Sequence, residues 1–172
     1  MRVAFTLDDI PLWPRSHPPD GYSVASIMQK ISDALVRNSI RDVYGFGNSW
    51  SLVQHPELAT VLDAWVAAGH HVGNHTRSHL VLTEIGWERY CGEIDLADRH
   101  LAPWLSKAPN RFFRYTLCHW GDTEEKRAKG VVTSTWIGAA RGLEGPLNFR
   151  PRWRLATSGT LRLSGREACG GM

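Results

Sequence analysis

Two pairs of residues carry the chemistry that this sequence can do: Asp8-Asp9 near its start, and His75 with His79 four positions further along from it. Imidazoles at that spacing face a common point on a helical turn or a tight loop, a recurrent way of holding a divalent cation. Taken alone, the His pair is more simply read as two surface or capping histidines, because the chain contains 8 His and such spacings arise by chance. Asp8-Asp9 alone likewise reads as a turn or a helix cap. The conjunction is what points to a metal. Acids at the end of one strand and histidines just past another share the C-terminal rim of a parallel sheet. One carboxylate and two imidazoles leave coordination positions for water and a substrate oxygen, as a hydrolytic centre requires.

The elements that would position these groups follow from the apolar pattern. Val3 to Leu7 reads as a buried first strand stopped by the two acids. Pro11, Pro14, Pro18, Pro19 and Gly21 make a loop, and Ser23 caps a helix with Val24, Ile27, Met28, Ile31 and Leu35 on its apolar face. Val43 to Gly47 is a second strand. Pro56 opens a helix carrying Leu58, Val61, Leu62, Trp65 and Val66, which Gly69 closes. His70 to Gly73 gives a third strand, Thr83 to Leu105 one long helix, and Asn110 to Leu117 a fourth strand, with a further helix starting at Thr123. Strand and helix alternating at this spacing predict an α/β fold with parallel strands, an incomplete and distorted β/α barrel. From residue 128 onward no apolar period persists, and the tail is expected to be irregular.

Length and composition bound the rest. The 172 residues are 42% apolar, which suits one domain with an ordinary core. The net charge of +3 is unevenly spread: residues 1–127 carry a net −2 and residues 128–172 a net +5. That basic tail lacks an amphipathic repeat, so neither nucleic acid nor a membrane surface is expected as a partner. Three Cys at positions 91, 118 and 169 have no metal-like spacing, which favours reduced thiols. No apolar run reaches the ~18 residues of a spanning helix, and Val3 to Leu7 is too short for a signal core. The expected compartment is therefore the cytoplasm. The 8 Trp are expected mostly in the core, with some lining a sugar-sized groove, because an aromatic face packs on the C–H face of a pyranose.

Three segments carry a family resemblance. Phe5-Thr6-Leu7-Asp8-Asp9, then Gly69-His70-His71-Val72-Gly73-Asn74-His75-Thr76-Arg77-Ser78-His79, then Phe113-Arg114-Tyr115 resemble the first three motifs of the polysaccharide deacetylases, also called carbohydrate esterase family four. The stretch Val43-Tyr44-Gly45-Phe46-Gly47-Asn48 also looks like that family's second strand; the likeness runs over about residues 3–127, and its second motif is the most specific. It implies that Asp9, His75 and His79 are ligands of a divalent metal, zinc foremost. It implies Asp8 as general base, Arg114 as the partner that keeps Asp8 ionised and aimed, and a backbone N–H near Leu117 as oxyanion donor. The implied substrate is an acetylated sugar or oligosaccharide.

The sequence also departs from that pattern. Thr116-Leu117 stand where the third motif has Pro and an aromatic residue. The family's later segments, an acidic-Asp-Trp and a Leu-x-Leu-His whose His protonates the leaving group, have no match: Leu161-Arg162-Leu163-Ser164 has Ser in place of His, and no His follows His119. A missing general acid costs roughly 10²- to 10⁴-fold in rate. The reading is thus that 1–127 is the N-terminal part of a deacetylase domain. Residues 128–172 are an atypical basic tail, no domain of their own, with the composition of a GC-rich gene read in a shifted frame. Three alternatives stay open: an inactive metal- or sugar-binding domain, a carbon-nitrogen hydrolase acting on a small amide, and, least favoured because it gives no reason for acids and histidines to share one rim, a plain structural α/β domain.

Overall fold

The computed structural model describes residues 4–12, 16–119 and 160–162, and strands alternate with helices from its first element. β1 (Thr6–Ile10), α1 (Val24–Arg37), β2 (Tyr44–Gly47), α2 (Trp50–Gln54), a 3-10 turn (Pro56–Leu58), α3 (Ala59–Ala67) and β3 (His71–Asn74) come first. α4 (Leu82–Ile85), α5 (Trp87–Leu105), β4 (Phe112–Arg114), a second 3-10 turn (Thr116–Cys118) and β5 (Thr160–Arg162) follow. The strands lie in the order β1-β2-β3-β4-β5, the first four parallel and β5 antiparallel to β4. This is the predicted α/β arrangement, and among the described residues the sheet stays open, with β1 and β5 at its two edges.

Local chemistry explains where the elements start and stop. Ser23 caps α1 as expected: its Oγ accepts the Ser26 N–H and the Ser26 Oγ accepts the Ser23 N–H, each at 3.0 Å, a box worth about 1 kcal/mol. Gly69 ends the α3 region in the left-handed conformation, φ +88°, where a side chain is disfavoured. Strand alternation then gives the sheet two faces. On one, Ile10 and Val72 join Met28, Leu62, Trp65, Leu101 and Trp104 in the main core beneath α1, α3 and α5. On the other, Tyr44, Phe46, Phe112 and Arg114 meet ring to ring and cation to ring. Gly73 makes that second layer possible, since a Cβ there would stand 2.7 Å from the Phe46 ring.

Several boundaries differ from the sequence reading, each for a physical reason. The first strand is shifted to Thr6–Ile10, so the two acids lie within it, and only Ile10 in it is fully buried. A strand at a sheet edge does not need a continuous apolar run, and Phe5 is 54% exposed. The long helix is two helices, broken at Gly86, which is left-handed at φ +76°. A short helix, α2, was not signalled by any period, being only 5 residues long. Thr160–Arg162 forms a strand inside the tail; the rest of 128–172 and the helix expected at Thr123 lie outside the described residues. Trp65 and Trp104 are core residues as expected, while Trp13, Trp120, Trp136 and Trp153 also lie outside. Cys91 and Cys118 form no disulfide. Among the described residues no helix is long and apolar enough to cross a membrane.

Candidate metal centre

A regular strand would send Asp8 and Asp9 to opposite faces of the sheet. β1 avoids this with a bulge: its register against β2 slips between Asp8 and Ile10, and Asp9 takes a left-handed φ of +60°. Bulges re-aim side chains in this way. Both carboxylates then serve one site, Asp8 toward Arg114 on β4 and Asp9 toward the histidines that follow β3.

His75 and His79 sit on a tight loop rather than a helix. Thr76 and His79 are left-handed at φ +69° and +55°, uncommon for any residue with a side chain and least favourable for a β-branched one. Such strain persists only where the surroundings over-determine it. The His75 N–H donates to the Gly47 carbonyl at 3.0 Å, and Asn48 donates its amide to the His75 carbonyl at 2.6 Å. The His75 Nδ1 lies 2.8 Å from the Arg114 carbonyl. A carbonyl can only accept, so Nδ1 carries the proton and Nε2 is left with its lone pair, the tautomer of a metal ligand. Burial holds the His75 imidazole below the usual histidine range, with the His79 charge adding to this and the Arg114 carbonyl, Asp8 and Asp9 opposing it. The neutral form is the one that ligates.

The three predicted ligands converge. One ligand atom from each of Asp9, His75 and His79 lies within 4.8 Å of the others; Asp9 Oδ1 is 3.7 Å from His75 Nε2 and 3.4 Å from His79 Nε2. Atoms bound tetrahedrally at ~2.0–2.1 Å stand roughly 3.3 Å apart, so the donor set fits such an ion. Asp9 Oδ1 is buried and has no hydrogen-bond partner among the described residues. An uncompensated carboxylate oxygen is costly, and a cation between these groups would satisfy it.

Beside this cluster Arg114 Nη1 donates to Asp8 Oδ1 at 2.5 Å and to Thr6 Oγ1 at 3.0 Å, with its guanidinium over the Phe46 ring at 4.1 Å. The Arg114 side chain is 6% exposed and that of Asp8 35%. This is no surface ion pair: the arginine is clamped inside while the acid stays open to water. Leu117, the expected oxyanion donor, occupies the turn after β4 at φ +53° and is 69% exposed. That turn is held from below. Thr116 donates its N–H to the Tyr90 hydroxyl at 3.2 Å and its own hydroxyl to the Leu80 carbonyl at 2.7 Å. Burial pushes the Tyr90 phenol up to about 12, so it remains a donor to the Thr116 Oγ1 at 3.2 Å.

The sequence thus placed Asp8, Asp9, His75, His79 and Arg114 as candidates, and the fold gathers all five. Tyr90, whose partner Thr116 lies 26 positions away, had no visible sign; Asn48, closing the Val43 to Asn48 stretch, and Asn74, within the second motif, each had a visible place but no visible role, the partner of Asn48 lying 27 positions away. The sequence profile of the polysaccharide deacetylases matches residues 1–131. The chain belongs to the polysaccharide deacetylase family. Among solved structures it is similar to a family 4 carbohydrate esterase from Streptomyces lividans in complex with acetate, at 25% identity and a TM-score of 0.51, covering 76% of this chain and 57% of that one. It is also similar in fold to the peptidoglycan deacetylase PdaC from Bacillus subtilis, at 21% identity and a TM-score of 0.50, over 74% and 54% of the two chains. The Bc1960 peptidoglycan N-acetylglucosamine deacetylase shares the fold at 20% identity and a TM-score of 0.52, over 79% and 60%. The chain therefore spans somewhat over half the length of these deacetylase structures. No curated protein matches it.

Proposed function

We propose that this polysaccharide deacetylase family chain is a metal-dependent hydrolase that removes acetyl groups from N- or O-acetylated sugars. The observation that carries the reading is the meeting of Asp9, His75 and His79 beside the Asp8–Arg114 pair. Asp9 and the two histidine Nε2 atoms are the ligands, and zinc suits this mixed oxygen and nitrogen donor set. When bound, the ion supplies positive charge that acidifies the attacking water and polarises the acetyl carbonyl. Asp8, half-open to solvent, takes the water's proton as general base. Arg114, bonded to Asp8 Oδ1, fixes the carboxylate in direction. The backbone N–H near Leu117 is the donor toward the oxyanion that forms at the carbonyl. The test is acetate release from N-acetylglucosamine oligomers and from a simple acetyl ester by the zinc-loaded chain, with Asp8→Asn as control. The reading expects release by the wild type, and zinc binding without release by the variant; equal rates in both would overturn it.

A second reading is favoured by one observation, Ser164 standing in Leu161-Arg162-Leu163-Ser164 where the family's Leu-x-Leu-His segment carries its His. Without an acid to protonate the leaving amine, the same ligands make a metal- and sugar-binding domain that does not turn over. Zinc binding and sugar binding with no acetate release from either substrate would select it. For residues 128–172 the proposal is that they are read out of the frame that encodes the family's later segments. The coding DNA past codon 128 decides this: an acidic-Asp-Trp and a Leu-x-Leu-His segment in another frame support it, and their absence from both overturns it.

A further inference from the structure

Every backbone N–H from His75 to His79 has an acceptor. That of His75 goes to the Gly47 carbonyl at 3.0 Å, Thr76 to Asn74 Oδ1 at 2.8 Å, Arg77 to the Glu93 carbonyl at 3.1 Å, Ser78 to Glu93 Oε2 at 2.7 Å and His79 to Thr76 Oγ1 at 3.2 Å. One residue of α5, Glu93, therefore holds two consecutive links of the loop, with its main chain and with its side chain. Glu93 is 7% exposed and lies on the buried side of α5 with Tyr90, Ile94 and Ala97. For packing alone an apolar residue would serve better, since an enclosed carboxylate is tolerated only where it is hydrogen-bonded or paired. The reaction chemistry proposed above makes no use of it.

We propose that Glu93 is a positioning residue for the metal centre, fixing Arg77 and Ser78 so that the loop keeps its left-handed residues and delivers His79 to Asp9 and His75. The inference rests on the reading of those three as metal ligands. Thr76 and His79 hold conformations that they disfavour in isolation, so the loop keeps its shape only while its N–H groups stay tied. The charge-assisted bond from Ser78 is the shortest of the five. Asn74, which ties Thr76, is itself anchored on α5, donating to the carbonyl of Ile94, the residue after Glu93, at 3.0 Å and to Asp98 Oδ1 at 2.6 Å. Helix α5 is thus the rail on which the histidine loop is mounted, and Glu93 is its point of attachment nearest His79.

Zinc competition titrations on the full chain, with visible spectra of the cobalt-substituted protein, test this in wild type, Glu93→Asp and Glu93→Gln. Aspartate keeps the charge but falls one methylene short of Ser78, and glutamine keeps an acceptor at full reach. We expect Glu93→Asp to bind zinc roughly 10- to 100-fold more weakly with an altered cobalt spectrum, and Glu93→Gln to stay within about threefold of wild type with an unaltered one. A residue that only supports the fold would lower thermal stability in both variants and leave the spectrum alone. The inference is overturned if Glu93→Asp binds zinc as tightly as wild type, or if Glu93→Gln binds as weakly as Glu93→Asp. A wild type that binds no zinc overturns the metal reading along with it, whereas a binding wild type with an unaffected aspartate variant overturns the Glu93 inference alone.

Discussion

The two halves of the proposed metal centre are built in opposite ways. The histidine half hangs from β3, an interior strand, in a loop whose backbone N–H groups are tied to β2, to Asn74 and to Glu93; its His75 side chain is 2% exposed. The carboxylate half lies on β1, at an edge of the described sheet, and each of its two acid side chains is 35% exposed. One half fixes geometry and excludes water, and the other leaves its carboxylates open to water, which suits the proton transfer proposed for Asp8. A hydrolytic centre needs both, since its ligands must be preorganised while its base must reach solvent and substrate.

The largest effect should come from the rigid half. Replacing His75 and His79 together by Ala should abolish zinc binding in a chelator competition assay, and a variant that still takes up one equivalent would break the comparison outright. Asp8→Asn should act only on the open half, lowering acetate release roughly 10²- to 10⁴-fold while zinc affinity stays close to wild type. A loss of zinc in that variant would mean that the two acids are not divided between ligand and base.

The same contrast decides what the sequence could tell. The His75–His79 spacing is local, so it is legible without the fold, and the strand–helix rhythm that carries it up to residue 119 is legible because apolar periods reflect the core. The Asp8-Asp9 pair was visible as two acids, but its bulge was not: a left-handed Asp9 leaves no mark in residue type, and a strand one would end at Leu7 in fact runs to Ile10. The break at Gly86 went unread because an isolated glycine inside a helical period is compatible with an unbroken helix. Glu93, Asn48 and Tyr90 act through partners distant in sequence, and such contacts exist only after the chain has folded.

Smaller effects sharpen the picture from beneath. Leu101 on α5 is 0% exposed in the core under the sheet, so Leu101→Ala should cost about 2–5 kcal/mol in a denaturant titration. If zinc affinity fell in proportion, the histidine half would owe its rigidity to the core as a whole rather than to its own ties. Acidification should act on the histidine half as well. In the metal-free chain, burial holds the folded His75 below its unfolded value, so the unfolded state gains the proton first. Stability is then full above the ordinary histidine value of about 6.5 and is lost as pH falls through the window beneath it. NMR titration of the His75 ring should report a depressed midpoint; a raised one would place a compensating charge where the fold shows burial to dominate.

The central claim is that a carboxylate from β1 and two imidazoles from the loop after β3 converge on one divalent ion. X-ray absorption at the zinc edge of the loaded wild-type chain tests it most directly. The account predicts two imidazole nitrogens with oxygen completing the sphere at about 2.0–2.2 Å and no sulfur. A sulfur scatterer at about 2.3 Å, or a single imidazole, would contradict it.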